Sequence, residues 1–235
     1  MYDVPQPLAS GFLSIGNGEE IYWETSGNPN GGPGGGLNRK YRQHFDPEKY
    51  FIVGFEQRGC GRSKPLAHED LTKLASNTTQ NLISDVELLR KHLKVESWFL
   101  FGGSWGTTLA LAYAEEHPAR TRGLVLAAIT TTTAKEVDWI TDGMRKIFPR
   151  EGDALISAAQ PQRNERVVDA CYRKIMDSDP KVRLAIARAW CIWEDTHMSI
   201  HKNWPGSEFI VAPNGHGGAE LYAEVTKAFD RFKTI

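Results

Sequence analysis

The most constraining feature of the sequence is an alternation of short apolar runs and amphipathic segments in its first half. Runs rich in β-branched and aromatic residues occupy positions 50–55, 98–101 and 123–129. The segments between these runs have the residue spacing of helices. Strands that alternate with helices form right-handed crossovers in a parallel sheet. The sequence therefore predicts an α/β fold, in which a mostly parallel sheet is flanked by helices.

The first of these helices follows from a single repeat of leucine and valine. The apolar residues Leu82, Val86, Leu89 and Leu93 recur at intervals of three or four residues, which is the period of an amphipathic helix. The polar stretch 77–79 supplies candidates for its N-cap. A second helix is expected from about Thr107 to Glu116, ending before Pro118.

Further strands are predicted at 11–15, 21–25 and 209–212, whereas strand-like runs disappear between 134 and 202. Apolar residues in that interval follow helical spacing, which indicates a helical cap inserted into the sheet domain. We therefore expect three segments, all of them parts of one α/β domain with its cap. They are a first part of the core (1–133), the helical cap (134–202) and a C-terminal part of the core (203–235).

The charge of the chain excludes several classes of partner. Its 28 Lys and Arg residues nearly balance its 29 Asp and Glu residues, and no basic block occurs. Nucleic acids and anionic membranes are therefore not expected partners. The start of the chain has neither a basic nor an apolar leader segment, so a cytoplasmic protein is expected. Cys60, Cys171 and Cys191 lie far apart, which argues against both disulfides and a zinc site, and no metal or cofactor is expected.

The sharpest motif is the pentapeptide 102–106, Gly-Gly-Ser-Trp-Gly, between a predicted strand and a predicted helix. A Gly-x-Ser-x-Gly pattern should occur by accident only about 0.08 times in a chain of this size. Such a turn holds a nucleophilic serine in a strained conformation, and the flanking glycines relieve crowding. Ser104 is therefore the candidate nucleophile. The backbone N–H of Trp105, at the start of the helix, is a candidate oxyanion donor.

Two further segments carry candidate residues. The glycine run 31–36 lacks the Lys-Ser/Thr of a phosphate loop. A glycine loop that precedes the nucleophile can present a second N–H to an oxyanion, and a merely flexible loop is the alternative. His216, after the last predicted strand, follows the serine in the chain order expected for a catalytic base. The other six histidines are expected on helix surfaces or in polar loops.

Four segments of the sequence resemble those of the proline iminopeptidases, which are serine peptidases of the α/β-hydrolase fold. They are Gly-Gly-Pro-Gly at 31–34, the stretches 57–63 and 102–106, and Ala-Trp-Cys-Ile-Trp-Glu at 189–194. The resemblance covers nearly the whole chain. It implies Ser104 as nucleophile, His216 as base, and the N–H groups of Trp105 and of Gly31 or Gly32 as oxyanion hole. It also implies that Glu194 receives the amino terminus of a peptide that begins with proline.

The sequence departs from this family at three places. The strand that ends in His before the glycine loop is absent, and so is the strand that carries the acid of the triad. No residue matches that acid, although Asp138 and Asp195 are possible substitutes. Glu56 stands where the family has Asp before Gln-Arg-Gly, which could misplace a carboxylate that holds the turn.

Three functions therefore remain open for the chain. The first is release of N-terminal proline through an acyl-enzyme. An esterase or amidase for other small acyl groups is the second, because the cap rather than the fold sets specificity. A non-catalytic protein that keeps the pocket but not the triad is the third. Composition does not indicate an oligomeric state.

Overall fold

A computed structural model describes residues 2–3, 6–29, 32–35 and 41–198 of the chain. Contacts between residues divide it into two compact units. The first unit includes the chain up to Thr130, and the second begins at Thr131. The predicted strand at 209–212 lies outside the described residues.

Within the described residues the first unit contains a six-stranded sheet with the order β1-β2-β4-β3-β5-β6. The hairpin of β1 and β2 and the pair β2–β4 are antiparallel, whereas β3 is parallel to both β4 and β5, and β5 to β6. The strands are β1 (Pro7–Gly16), β2 (Glu19–Gly27), β3 (Gly32–Gly35), β4 (Tyr50–Phe55), β5 (Trp98–Gly103) and β6 (Thr121–Ala127). The five strands predicted before residue 130 are confirmed, and the sheet is mixed.

The strand β3 was not predicted as a strand. Residues 32–35 were expected as a loop, and the family strand before them is absent from the sequence. In the structure this glycine run itself lies between β4 and β5, where Gly34 is in register with both Ile52 and Phe99. Sheet hydrogen bonds use only backbone groups, so glycines can occupy the place of a missing central strand. The sheet is thereby continuous.

Helices α1 (Thr79–His92) and α2 (Trp105–Glu116) confirm the two helices predicted between the strands. Thr78 caps α1, since its side chain accepts a hydrogen bond from the Asn81 N–H at 3.2 Å. The apolar repeat of α1 is buried at Leu82, Val86 and Leu89.

Neighbouring residues of one strand belong to different parts of the core. Val53 and Trp98 pack with α1 and α2, whereas Ile52 and Phe99 pack with Tyr41 and its neighbours. Successive side chains of a strand point to opposite faces of the sheet. Both faces of the sheet are therefore covered, one by helices and the other by the segment that precedes β4.

The described part of the second unit is helical, as the sequence predicted. Its α-helices are α3 (Ala134–Thr141), α4 (Pro149–Ala159), α5 (Val167–Ile175) and α6 (Pro180–Met198). A capping box of Thr133 and Glu136 begins α3. Trp193 is fully buried among these helices, and its indole N–H donates to the Ile140 carbonyl at 2.9 Å. Among the helices described, none has the length and apolar character needed to span a membrane.

Candidate active site

Ser104 lies at the junction of β5 and α2 in a strained backbone conformation. Its φ is 52° and its ψ is −123°, a region that residues other than glycine rarely adopt. Such a conformation costs on the order of 1–3 kcal/mol and persists only where the surrounding structure imposes it. The strained strand-to-helix turn that the motif predicts is therefore present. The serine itself is half-buried.

The two glycines of the motif differ in what they contribute. A Cβ at Gly102 would lie 2.3 Å from the carbonyl oxygen of Gly106, so strand and helix approach too closely for any side chain there. A Cβ at Gly106 would meet no described atom within 4 Å. The expectation that the flanking glycines relieve crowding is therefore confirmed for Gly102, whereas at Gly106 the described residues show no such crowding.

The two backbone hydrogen-bonding groups of Ser104 are fixed by neighbouring residues, and the next N–H along the chain is available to a ligand. The Ser104 N–H donates to the Ala127 carbonyl of β6 at 3.0 Å. Its carbonyl oxygen accepts from the Thr107 N–H at 2.8 Å and from the Thr107 hydroxyl at 2.7 Å. The Trp105 N–H belongs to the first turn of α2, where backbone donors lack partners within the helix and carry partial positive charge. This arrangement suits a donor to an oxyanion formed beside Ser104.

The structure places Gly32 far from this donor, which corrects one expectation. Gly35 is in register with Leu100, so Gly32 lies near the start of β5 rather than near its end. Seven residue positions separate Gly32 from the level of Ser104, which is roughly 23 Å at about 3.3 Å per residue. The reason is that residues 32–35 of the glycine run form a strand, not a loop beside the nucleophile. Gly31 and His216 lie outside the described residues.

The remaining candidates belong to the second unit. Glu194 and Asp195 lie near the end of α6 with exposed side chains. Asp138 of α3 accepts a hydrogen bond from Arg166 Nε at 2.8 Å and forms an ion pair with Arg166 Nη2 at 2.7 Å. Its carboxylate is therefore already occupied within its own unit, which disfavours it as a substitute for the triad acid.

The segment from Gln57 to Ser63 is a turn held by charged side chains. Arg58 is buried and donates two hydrogen bonds to Asp85 of α1, at 2.8 and 2.6 Å. It also contacts the buried Glu19 at 3.3 Å. Burial raises the pKa of Asp85, although the bonds from Arg58 oppose this. Arg58 therefore ties the turn to β2 and α1.

Glu56 holds this turn despite being longer than the aspartate of the family. Its carboxylate accepts from the backbone N–H of Arg62 and, at 3.0 and 2.7 Å, from the Arg62 guanidinium. The expected misplacement is therefore not found.

Sequence reasoning missed one buried polar cluster. His44 was expected to be solvated, but only 1% of its surface is exposed and its ring lies 5.7 Å from that of Phe101. Nearby, the buried Glu24 accepts from Tyr41 at 3.0 Å and pairs with Arg42. Burial raises the pKa of Glu24, but hydrogen bonds from Arg42 and Tyr41 outweigh it and hold the pKa below its usual value. The polar residues just before β4 have no spacing in the sequence that indicates this burial.

The cysteines and possible metal ligands give two simple results. Cys60, Cys171 and Cys191 are all among the described residues and are free thiols. Burial raises the pKa of the Cys171 thiol to about 11, so it is an unreactive packing residue. Over the same described ranges, His, Cys, Asp and Glu side chains form no cluster suited to a metal ion.

This arrangement of sheet, helices and strained serine corresponds to one class of protein. The sequence model of the family described as alpha/beta hydrolase fold matches residues 28–216. Among solved structures, VinJ is similar with a TM-score of 0.54 and 20% identity, over 90% of this chain and 76% of that one. A proline iminopeptidase-related protein of Thermus thermophilus has a TM-score of 0.50 at 22% identity, over 79% and 66%. These likenesses concern the fold.

Sequence relatives narrow the class further. The proline iminopeptidase of Xylella fastidiosa (strain Temecula1) is 42% identical over 96% of this chain and 72% of its own length. The proline iminopeptidase of Neisseria meningitidis serogroup B is 39% identical over 83% of this chain. The chain belongs to the proline iminopeptidase family. It spans only 64% of the Neisseria protein, however, and 62% of a relative from Leptolyngbya boryana.

Proposed function

We propose that the chain is a serine aminopeptidase that releases N-terminal proline from peptides. The observation that carries the proposal is the strained turn at Ser104, in a chain whose relatives are named for this activity. Strain at a single non-glycine residue marks sites where the surrounding structure maintains a costly geometry for function. The substrate is a peptide with a free N-terminal proline, and no metal or cofactor takes part. We place the reaction in the cytoplasm, because the three cysteines are odd in number and far apart in the sequence, unlike those of a disulfide framework.

The reaction starts with attack of the Ser104 hydroxyl oxygen on the carbonyl carbon of the prolyl residue. His216 takes the serine proton as the new C–O bond forms, and then gives it to the leaving amine as the peptide bond breaks. The Trp105 N–H stabilises the negative oxygen of the tetrahedral intermediate. Water, activated by His216, then hydrolyses the prolyl ester. Proline leaves and Ser104 is regenerated.

Glu194 supplies the preference for a free amino terminus. Its carboxylate pairs with the ammonium group of the N-terminal proline, which an internal peptide bond lacks. The side chain is exposed without substrate, so the pair resembles a surface ion pair and is worth about 1 kcal/mol.

Labelling with a fluorophosphonate tests the nucleophile directly. We expect the native chain to be labelled at Ser104, and Ser104→Ala to be unlabelled, with peptide mapping as the readout. A native chain that is not labelled contradicts the serine-hydrolase proposal. Hydrolysis of a simple ester without hydrolysis of a proline amide would instead indicate an esterase.

Glu194→Gln tests the specificity. We expect kcat/KM on a proline amide to fall about fivefold, which corresponds to the loss of about 1 kcal/mol. A neutral ester of similar size serves as the internal control and should be hydrolysed at the native rate. Equal losses on both substrates would give Glu194 a structural role.

A further inference from the structure

One buried side chain, that of Thr107, holds the backbone at Ser104. Thr107 has no exposed surface. Its N–H donates to the Ser104 carbonyl oxygen at 2.8 Å, and its hydroxyl donates to the same oxygen at 2.7 Å. Two donors of one residue therefore fix the position of a single carbonyl oxygen, at the most strained residue of the site.

The same hydroxyl also contacts the chain that follows β6. It accepts a hydrogen bond from the Thr130 N–H at 3.0 Å. The Thr130 carbonyl lies 3.0 Å from the Thr107 hydroxyl, but it accepts from the Thr108 hydroxyl at 2.8 Å. A hydroxyl has only one proton to donate. The Ser104 carbonyl is the nearer acceptor, at 2.7 Å against 3.0 Å, and the Thr130 carbonyl has Thr108 as a donor, so we assign the Thr107 proton to the Ser104 carbonyl.

The geometry of the peptide bond extends this effect to the next residue. The carbonyl of Ser104 and the N–H of Trp105 belong to one planar unit and point in opposite directions. When the oxygen is held on one side, the direction of the N–H on the other side is fixed as well. The Trp105 N–H is the group that the proposed function uses as oxyanion donor.

We propose that Thr107 is a positioning residue, which orients the Trp105 N–H by holding the peptide plane between Ser104 and Trp105. The proposal rests on the proposed function for the oxyanion itself. Oxyanion donors are effective because they point at the developing charge before the reaction begins. Without the Thr107 hydroxyl, the peptide keeps only one of its two restraints. The Trp105 N–H is then still present, but it points less accurately at the oxyanion.

Three variants separate this role from general stability. Thr107→Val keeps the shape and removes the hydroxyl, and Thr107→Ser keeps the hydroxyl. Thr141→Val in α3 is the matched control, because Thr141 is also buried and its hydroxyl donates to a backbone carbonyl, that of Val137, at 2.8 Å. Loss of a whole oxyanion donor lowers rates by about 100- to 1,000-fold. A misdirected donor should cost less, so we expect the limiting rate of fluorophosphonate labelling to fall about tenfold in Thr107→Val, with unchanged affinity for the probe. Thr107→Ser and Thr141→Val should keep the native rate.

The amide resonance of Trp105 in a ¹⁵N–¹H spectrum gives a readout that needs no reaction. We expect it to move in Thr107→Val and to stay in place in Thr107→Ser and Thr141→Val. A native rate and an unmoved resonance in Thr107→Val would overturn the proposal, and so would a Thr107→Ser variant that behaves like Thr107→Val.

Two further outcomes are distinguishable. If Thr107→Val does not fold, Thr107→Ala removes the hydroxyl without filling its space. Failure of both to fold would make Thr107 a structural residue and overturn the proposal. A native chain without labelling contradicts the proposed function alone, because the resonance of Trp105 still tests the positioning role.

Discussion

At the scale of single residues, Gly102 and Gly106 occupy equivalent places in the motif but different surroundings. An added Cβ at Gly102 meets backbone atoms, whereas one at Gly106 meets open space among the described residues. Backbone cannot move aside as a flexible side chain can. The strained turn thus depends on one of these two glycines for its packing.

Substitution by alanine should reveal this difference. We expect Gly102→Ala to lower the free energy of unfolding by about 1–3 kcal/mol, because strand and helix must separate. Gly106→Ala should leave stability unchanged or raise it by about 0.5–1 kcal/mol, because alanine favours the helix that includes it. Denaturant unfolding of both variants provides the measurement. Equal destabilisation of the two variants would contradict the conclusion that only Gly102 is crowded by neighbouring backbone.

The residues of the site were predictable to different degrees. Ser104 was found because its pentapeptide has a fixed spacing and a fixed place between strand and helix. Thr107 was not, since a threonine in a helix carries no signal until its hydroxyl is seen between Ser104 and Thr130. His44 was assigned to the surface for a similar reason: burial of a polar residue depends on distant parts of the chain.

At the scale of elements, α1 and α2 are joined by the carboxylate of Glu87. It accepts from Arg90 of its own helix at 2.8 and 2.7 Å and from the Tyr113 hydroxyl of α2 at 2.9 Å. The hydrogen bonds from Arg90, more than any other contact, lower the pKa of Glu87 to about 2, although burial opposes the shift. The ionised form of Glu87 therefore stabilises the packing of the two helices.

This pKa predicts how stability changes with pH. A carboxyl whose pKa is lower in the folded state stabilises the fold above its unfolded pKa, and this contribution is lost as pH falls through its folded pKa. We expect Glu87→Gln to cost on the order of 1–2 kcal/mol at pH 7, after allowance for screening by solvent. The difference from the native chain should shrink between about pH 4.5 and pH 2.

Glu115→Gln on the exposed side of α2 is the matched control. It should have little effect on the free energy of unfolding at either end of this pH range. Urea unfolding at pH 7, 4.5 and 3 measures both variants. A difference for Glu87→Gln that does not change with pH would contradict the role of its charge.

The elements themselves were predicted where side chains show a period. The repeat at Leu82, Val86 and Leu89 gave α1, and apolar runs gave five strands. β3 could not be found in this way, because its sequence, Gly-Pro-Gly-Gly, has no side-chain pattern and low strand propensity. Its position is evident only in the structure, where both β4 and β5 pair with it.

At the scale of the whole molecule, the continuity of the sheet depends on β3. Amide hydrogen exchange tests it, because the amides of a central strand open only with large parts of the fold. We expect the Gly34 N–H to exchange as slowly as that of Phe99, its partner in β5. Asn17, in the turn between β1 and β2, is the fast-exchanging control. Rapid exchange of the Gly34 N–H would indicate that residues 32–35 form a loop. Gly32 would then again be a candidate oxyanion donor.

The lack of a match for the acid of the family's triad predicts weak catalysis. No residue matches the triad acid, which normally orients the histidine and stabilises its charged form. In a serine protease with a Ser-His-Asp triad, replacing this aspartate by asparagine lowers turnover about 10⁴-fold. We expect kcat/KM on a proline amide to be similarly low for this chain. A version with the two family strands restored, including an aspartate after the second, should recover activity.

Two single changes reveal any substitute acid. Asp138→Asn and Asp195→Asn should leave the weak activity unchanged, since Asp138 is paired with Arg166 and Asp195 is exposed. Full activity in the native chain would contradict the prediction. Collapse of that activity in one variant would identify the residue concerned as the acid.

The first strand has a consequence for how copies of this chain behave in concentrated solution. β1 forms one border of the described sheet, so one side of its backbone lacks a neighbouring strand, and Leu8 and Phe12 on it are exposed. Such a border is a template for another molecule. The pairing of β1 with β2 is irregular near both ends, between Pro7 and Ala9 and between Ser14 and Gly16. An incoming strand therefore finds regular backbone only from Ala9 to Ser14, which limits the length over which aggregation can begin.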